Sequence, residues 1–361
     1  MWLDAVKSPE PVAADASAPT LATRFKRPSL ISTFGLLFVA LLLFWLAVNA
    51  VKAPSEFMTI FLIGITTGCV YALVALGYTL VYGILELINF AHGDVFMLGG
   101  MFAITMGTHF FGLKHGMGIV TVPIVIATLL LTMLACGLLN ATIEFVAYRP
   151  LRGAPRLAPL ITAIGVSFII ENVGLAWKGP NYITAPSVFP QSQIFSFYGI
   201  AYEWDKLIVV CITVPVLLTL LYLVQKTRQG KAMRATAQDK EAAAIMGINV
   251  NRTISFTFLI AGALAGAAGL LYSLYVTTVR FDQGFQLGLI AFTAAVFGGI
   301  GNLPGAVLGA ILIGCIQAFN EGLSWHAPGS DWTEAIVFTI LILILVFRPE
   351  GLLGERTPEG G

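Results

Sequence analysis

Residues 57–82 read FMTIFLIGITTGCVYALVALGYTLVY, an apolar run without one Asp, Glu, Lys or Arg. A helix needs ~20 apolar residues to cross the hydrocarbon of a bilayer, and this stretch supplies them. The polar segment just beyond it decides the fold. Residues 86–94, ELINFAHGD, gather Glu86, Asn89, His92 and Asp94 around a Gly93 break, and VFMLGGMFAITMG then resumes the apolar run. A long span, a polar break and a Gly-rich span in direct succession describe a polytopic membrane chain.

Composition agrees. Of the 361 residues, 57% are hydrophobic and 11% charged, with a mean hydropathy of +0.87. Soluble domains carry about 25% charged residues, so this chain has too little polar surface to cover a water-soluble body. Further candidate spans lie at 30–49, 95–112, 118–147, 157–177, 206–225, 253–278, 285–301, 303–322 and 332–347. The expected fold is therefore an all-α membrane protein, a polytopic helical bundle of about ten spans over 30–348. The short, Gly-interrupted pair 285–301 and 303–322 is either two spans or two re-entrant halves, which irregular backbone facing protein or a water-filled cavity permits.

Charge gives the orientation. With the N-terminus inside, ten spans place 15 of the 20 Lys and Arg residues in the cytoplasm; Lys52, Lys114, Lys178, Lys206 and Arg280 fall outside. The basic groups at 24–27, 149–156 and 226–252 each abut an apolar run, so they read as cytoplasmic flanks and not as a nucleic-acid surface. Residues 1–29, rich in Ala, Pro and Ser, read as a disordered cytoplasmic tail, and 349–361 as a cytoplasmic C-terminal tail. A cleaved signal peptide is the rival reading of the start, because Val48-Asn49-Ala50 follows an apolar run; the run 30–48 exceeds the ~7–15 residues of a signal core. Two loops are long: an external one at 178–205, suited to docking or to plain connection, and an internal one at 226–252. Cys69, Cys136, Cys211 and Cys315 lie far apart in apolar stretches and read as packing residues. Segments 86–107 and 296–317 also echo one another, each running through a polar turn into a Gly-rich helix; a transporter repeat and chance both explain that.

Four constellations stand out. In ELINFAHGD, Glu86 and Asn89 at helical i, i+3 spacing would share a face, with His92 and Asp94 at the break. These residues read either as a broken-helix site on a translocation pathway or as an interfacial turn that caps helix ends. Glu171-Asn172, deep in the span 157–177, is a pathway candidate or a structural hydrogen bond to a neighbouring helix. The segment AQDKEAAAIMGI, 237–248, is made of good helix formers with Gly247 at the stop. It reads as a coupling element for a cytosolic partner or as a solvated connector. In FGGIGNLPGAVLG, residues 297–309, the small residues Gly298, Gly299, Gly301, Gly305 and Gly309 with Pro304 favour close helix packing, and the turn 301–305 could also line a pathway.

Several chemistries lack their residues. There is no G-x-x-x-x-G-K-[ST] loop to bind ATP, no G-x-S-x-G or H-E-x-x-H, and no His/Cys set to complete a metal site around His92 and Asp94. No enzyme, metal or cofactor is expected. An ion-coupled transporter or channel using Glu86, Asp94 and Glu171 stays open on these residues alone.

Together the runs GYTLVYGILELINFAHGDVFMLGGM (77–101), RATAQDKEAAAIMGIN (234–249) and AFTAAVFGGIGNLPGAVLGAILIG (291–314) resemble the permease subunit of branched-chain amino acid ATP-binding-cassette importers, in the family's order and across ~55–355. The resemblance implies a bacterial inner-membrane permease with both termini cytoplasmic. Its partners would be a second related permease, two cytosolic ATPase subunits that bind the ATP, and an external solute-binding protein. Branched-chain amino acids would move inward through lipid-embedded helices; urea, short amides and other amino acids are carried within the same family. Residues 241–247 are similar to the start of the E-A-A-x-x-x-G loop, so Asp239, Lys240, Glu241, Ala242, Ala243 and Gly247 would face the ATPase. The Ile-x-Leu-Pro that often follows is absent.

Overall fold

The computed structural model describes residues 30–115, 121–155, 157–189, 193–195, 199–200 and 202–354, with backbone alone at 30–39 and 193–195. The N-terminal tail expected over 1–29, Arg156, Pro190 and the end of the C-terminal tail lie outside the described residues. The chain divides into two units, 1–48 and 49–361; the described part of the first is the start of α1 (Leu30–Lys52).

The second unit is helical. Its main elements are α2 (Pro54–Leu85), α3 (Ala91–Thr105), α4 (Val122–Ile143), α5 (Leu157–Lys178), α6 (Trp204–Lys226), α7 (Arg228–Gln238), α8 (Lys240–Ile245), α9 (Val250–Tyr275), α10 (Gln283–Gly298), α11 (Leu303–Gly322) and α12 (Thr333–Phe347). Single π-helical turns prolong α3 over Met106–Phe110 and α4 over Glu144–Tyr148. Seven helices are long and apolar enough to cross a membrane, so the chain is a multi-pass membrane protein. Each of the ten expected spans coincides with a helix, but the regular α-helical parts of α3 and α10 are short. At 1.5 Å per residue they reach only about 22–24 Å, less than the ~30 Å hydrocarbon thickness.

Their shortness comes from where they start. After α2 the chain runs without helix to Phe90, and after α9 it runs largely extended from Thr277 to Arg280 before α10. The first turns of α3 and α10 then meet: a Cβ at Gly284 would stand 2.8 Å from Asp94 Cα, and one at Gly288 2.8 Å from Gly93 Cα. A second contact supports the α9–α10 break. In it β4 (Thr278–Val279) pairs antiparallel with β1 (Ile183–Thr184) of the 178–205 loop, so that loop is more than a connection. A further pair, β2 (Gln193–Phe195) with β3 (Tyr202–Glu203), lies in the same loop.

The packing repeats with inverted direction. Helix α2 lies along α11 through Gly64 and Gly68, where added Cβ atoms would come 2.7 and 2.6 Å from Cys315 Cα and Ile311 Cα. Helix α9 lies along α4 in the same way: a Cβ at Gly266 would come 2.7 Å from the Thr132 carbonyl, and one at Gly262 would strike that of Cys136. In both pairs the contacts run antiparallel, and small residues let the backbones approach this closely. Helices α2, α3, α4 and α5 thus correspond to α9, α10, α11 and α12, an inverted repeat of the kind transporters use. This corrects the echo of 86–107 with 296–317: the partner of the first break is 276–298.

Alternate helix ends share a face. Arg152 with Asn251 joins the end of α4 to the start of α9, Tyr148 with Asn89 joins it to the break after α2, and Gly83 with Gly301 joins α2 to the turn after α10; this is the Lys/Arg-rich face. Asn49 with Trp325 and Thr66 with Tyr202 lie on the opposite one.

Candidate translocation site and coupling surface

The break after α2 is built around Glu86, which adopts φ +56 and gives its N–H to Tyr82 at 2.7 Å. Because α2 stops at Leu85, the expected shared helical face of Glu86 and Asn89 does not form. Glu86 is exposed, whereas Asn89, His92 and Asp94 are 3%, 0% and 0% exposed. The three buried side chains fan out to different helices. Asn89 Oδ1 accepts from the Tyr148 hydroxyl at 2.7 Å at the end of α4. The His92 ring fills the space above Gly77, where a Cβ would run into it, and meets Tyr78 edge-on at 4.8 Å. Asp94 Oδ2 accepts from Ser167 on α5, while its Oδ1 faces Gly284 of α10. Asn89 and Asp94 each hold one partner and His92 packs by its ring alone, with Asn89 Nδ2, both His92 ring nitrogens and Asp94 Oδ1 unpaired among the described residues. Unpaired polar groups at membrane depth are costly, and these three side chains tie α2, α3, α4, α5 and α10 together. They are buried between helices.

On α5, Glu171 is half-buried one turn after Ser167. Asn172 is exposed and donates to Phe168 of its own helix at 2.8 Å, so it makes no bond to a neighbouring helix. Among the described residues no group of His, Cys, Asp and Glu side chains could hold a metal ion.

The 226–252 segment forms two helices instead of one across 237–248. Thr227 caps α7 by accepting from Gly230 N, and Asp239 interrupts the helix and caps α8 by accepting from Glu241 N and Ala242 N at 2.8 and 3.0 Å. Gly247 at φ +83 ends α8: its N–H bonds Ala244 O and the Ile248 N–H bonds Ala243 O, both at 3.0 Å. That is a Schellman stop, which needs a left-handed residue. Lys240, Glu241 and Ala242 are exposed, but Ala243 is 4% exposed and faces this chain, so it is withdrawn from any partner. Ile245 and Met246 project instead, 86% and 81% exposed. Sequence reasoning missed them, although an apolar pair ending a charged helix was visible.

The glycine-rich turn divides by role. Gly298 and Gly305 meet backbone to backbone, and a Cβ at Gly309 would stand 2.9 Å from Gly298 Cα, so these three pack α10 on α11. Gly299 and Gly301 sit in the turn at φ +109 and +93. Gly301 and Pro304 are exposed and correct the packing expectation: they border a cavity of about 610 Å³ between α2, α6, α7 and this turn. The C-terminal segment covers the turn, with Leu352 N and Leu353 N bonded to Phe297 O and Gly298 O.

A family model described as branched-chain amino acid transport system / permease component matches residues 60–346. The chain belongs to this permease family. It is 38% identical over 300 residues to the high-affinity branched-chain amino acid transport system permease protein BraD of Pseudomonas aeruginosa, covering 82% of this chain and 95% of the relative. It is 35% identical over 301 residues to LivH of Escherichia coli K12, a protein of the same description, again with 82% and 95% covered. No solved structure matches it. As a family member this permease is a transport component and not an enzyme.

Proposed function

We infer that this permease forms the membrane path of a bacterial inner-membrane ATP-binding-cassette importer for branched-chain amino acids. Its partners are a second related permease, two cytosolic ATPases and an external solute-binding protein. The observation that carries the energetic part is Ile245 and Met246, held open on a capped two-helix element at the Lys/Arg-rich face of a chain without a nucleotide loop. A rigid element with an exposed apolar tip suits a groove on an ATPase. The charge asymmetry supports placing that face, and both termini, in the cytoplasm. Asn89, His92 and Asp94 act by holding the break that starts α3 and α10 at mid-depth. Glu171 and Asn172 look outward from α5 and reach the solute path where a second permease covers that face.

The test is reconstitution of the permease with the ATPases and binding protein encoded beside it, using labelled leucine, valine, urea and a short amide. ATP-dependent accumulation of leucine or valine is expected. Accumulation of urea or amide alone, or transport without the ATPases, would overturn the reading.

A further inference from the structure

The face opposite the Lys/Arg-rich one holds a cavity of about 260 Å³ between α2, α9, α10 and α11. It is below the ~300–1,000 Å³ of drug-sized pockets, which suits a small solute. One wall is apolar, made by Ile63, Val70 and Leu287. The other is formed by Tyr71, Tyr272, Tyr275, Thr67 and Glu321.

A hydrogen-bond chain fixes Glu321. Tyr71 donates to Gln317 Oε1 at 2.7 Å, Gln317 Nε2 donates to Glu321 Oε1 at 3.0 Å, and Thr333 donates to the same oxygen at 2.8 Å. Glu321 Oε2 accepts none of the described hydrogen bonds, Glu321 joins none of the described ion pairs, and no Lys or Arg lines the cavity. A carboxylate that is positioned by one oxygen and open at the other, beside three tyrosines, is an acceptor for a cation. An ammonium group offers three donors and is attracted to tyrosine ring faces. The Thr67 and Tyr275 hydroxyls, weakly paired at 3.4 Å, remain as donors that a carboxylate can draw on.

We propose that this cavity binds the solute on its way in, taking the ammonium of an aliphatic α-amino acid at Glu321 and its side chain on Ile63, Val70 and Leu287. The inference rests on the import reading above and narrows it: a neutral amide has no charge for Glu321.

The experiment uses the full transporter, with ATPases and binding protein, in proteoliposomes. Glu321→Gln should lower leucine uptake about tenfold, the scale of losing one charge-assisted hydrogen bond, while the ATPases still co-purify with the permease as they do with wild type. Leu287→Ala, which enlarges the apolar wall, should raise phenylalanine uptake relative to leucine. If wild-type complexes import leucine while Glu321→Gln takes it up at the wild-type rate and Leu287→Ala leaves the ratio unchanged, the cavity is no binding site and the import reading stands. If wild-type complexes accumulate no amino acid, the import reading fails and this one with it.

Discussion

Gly93 and Gly284 bring the first turns of α3 and α10 into backbone contact, so tightly that a Cβ on Gly93 would collide with the Gly284 carbonyl. The two helix N-termini can meet because neither residue has a side chain. Overpacking a core contact typically costs ~1–3 kcal/mol, and here the obstacle is backbone that cannot swing aside. Gly284→Val should therefore lower the thermal midpoint of the detergent-purified permease and reduce its monodisperse fraction. Gly165→Ala, at a position with nothing within 4 Å, should change neither. Equal behaviour of the two variants would remove the close approach as a structural requirement.

The spans were legible in the sequence because twenty apolar residues leave few alternatives to a membrane helix. The break at 86–94 was legible too, since ionisable residues at that depth need a reason. Its geometry was not. The i, i+3 argument assumed that α2 continued past Leu85, whereas Glu86 takes a left-handed conformation and only the three later side chains turn inward. The repeat was misplaced because Gly-rich composition was compared instead of partners. The G-x-x-x-G steps at 64–68, 262–266 and 284–288 marked the true correspondence. Ser167 and Tyr148 carry no local signal of their own, because their roles come from helices distant in sequence.

Asp94 and Ser167 join α3 to α5, and Asn89 joins the break to Tyr148. Substituting Asn89 or Asp94 by Leu should abolish uptake by the reconstituted importer. Asp94→Asn, which keeps an oxygen for the Ser167 hydroxyl, should retain part of it. Full uptake in both Leu variants would reduce these residues to dispensable helix caps.

Glu144 is fully buried and accepts from Arg152 and, at 2.5 Å, from Ser255, fastening the end of α4 to the start of α9. Burial lowers the Arg152 guanidinium below its ordinary value, and Glu144 beside it opposes that shift. Arg152→Ala leaves the carboxylate buried without its cation, a loss of about 3 kcal/mol or more. Glu144→Gln with Arg152→Ala should recover much of it. A double variant no more stable than Arg152→Ala in thermal denaturation would count against the ion pair.

Orientation can be read by labelling single cysteines placed at 240 and 182 after replacing the exposed Cys211. Position 240 should react only from the cytoplasm and position 182 only from outside. Labelling from the opposite side at either position would overturn the assignment of the Lys/Arg-rich face.

The proposed coupling surface allows the sharpest test, because shape and contact can be varied separately. Gly247 has nothing within 4 Å of an added Cβ, so a substitution there acts only through its positive φ. An L-residue held in that region costs about 1–2 kcal/mol, least for Asn. Gly247→Val should therefore loosen the Schellman stop and displace Ile245 and Met246, whereas Gly247→Asn should be nearly silent. Ile245→Asp leaves the helix intact and removes its apolar tip, and Glu241→Lys reverses the charge on the exposed first turn. Gly247→Val, Ile245→Asp and Glu241→Lys should all lose the stimulation of ATP hydrolysis by loaded binding protein in proteoliposomes, with membrane insertion unchanged. Wild-type stimulation in Ile245→Asp would show that the tip touches no ATPase, whatever the other variants do.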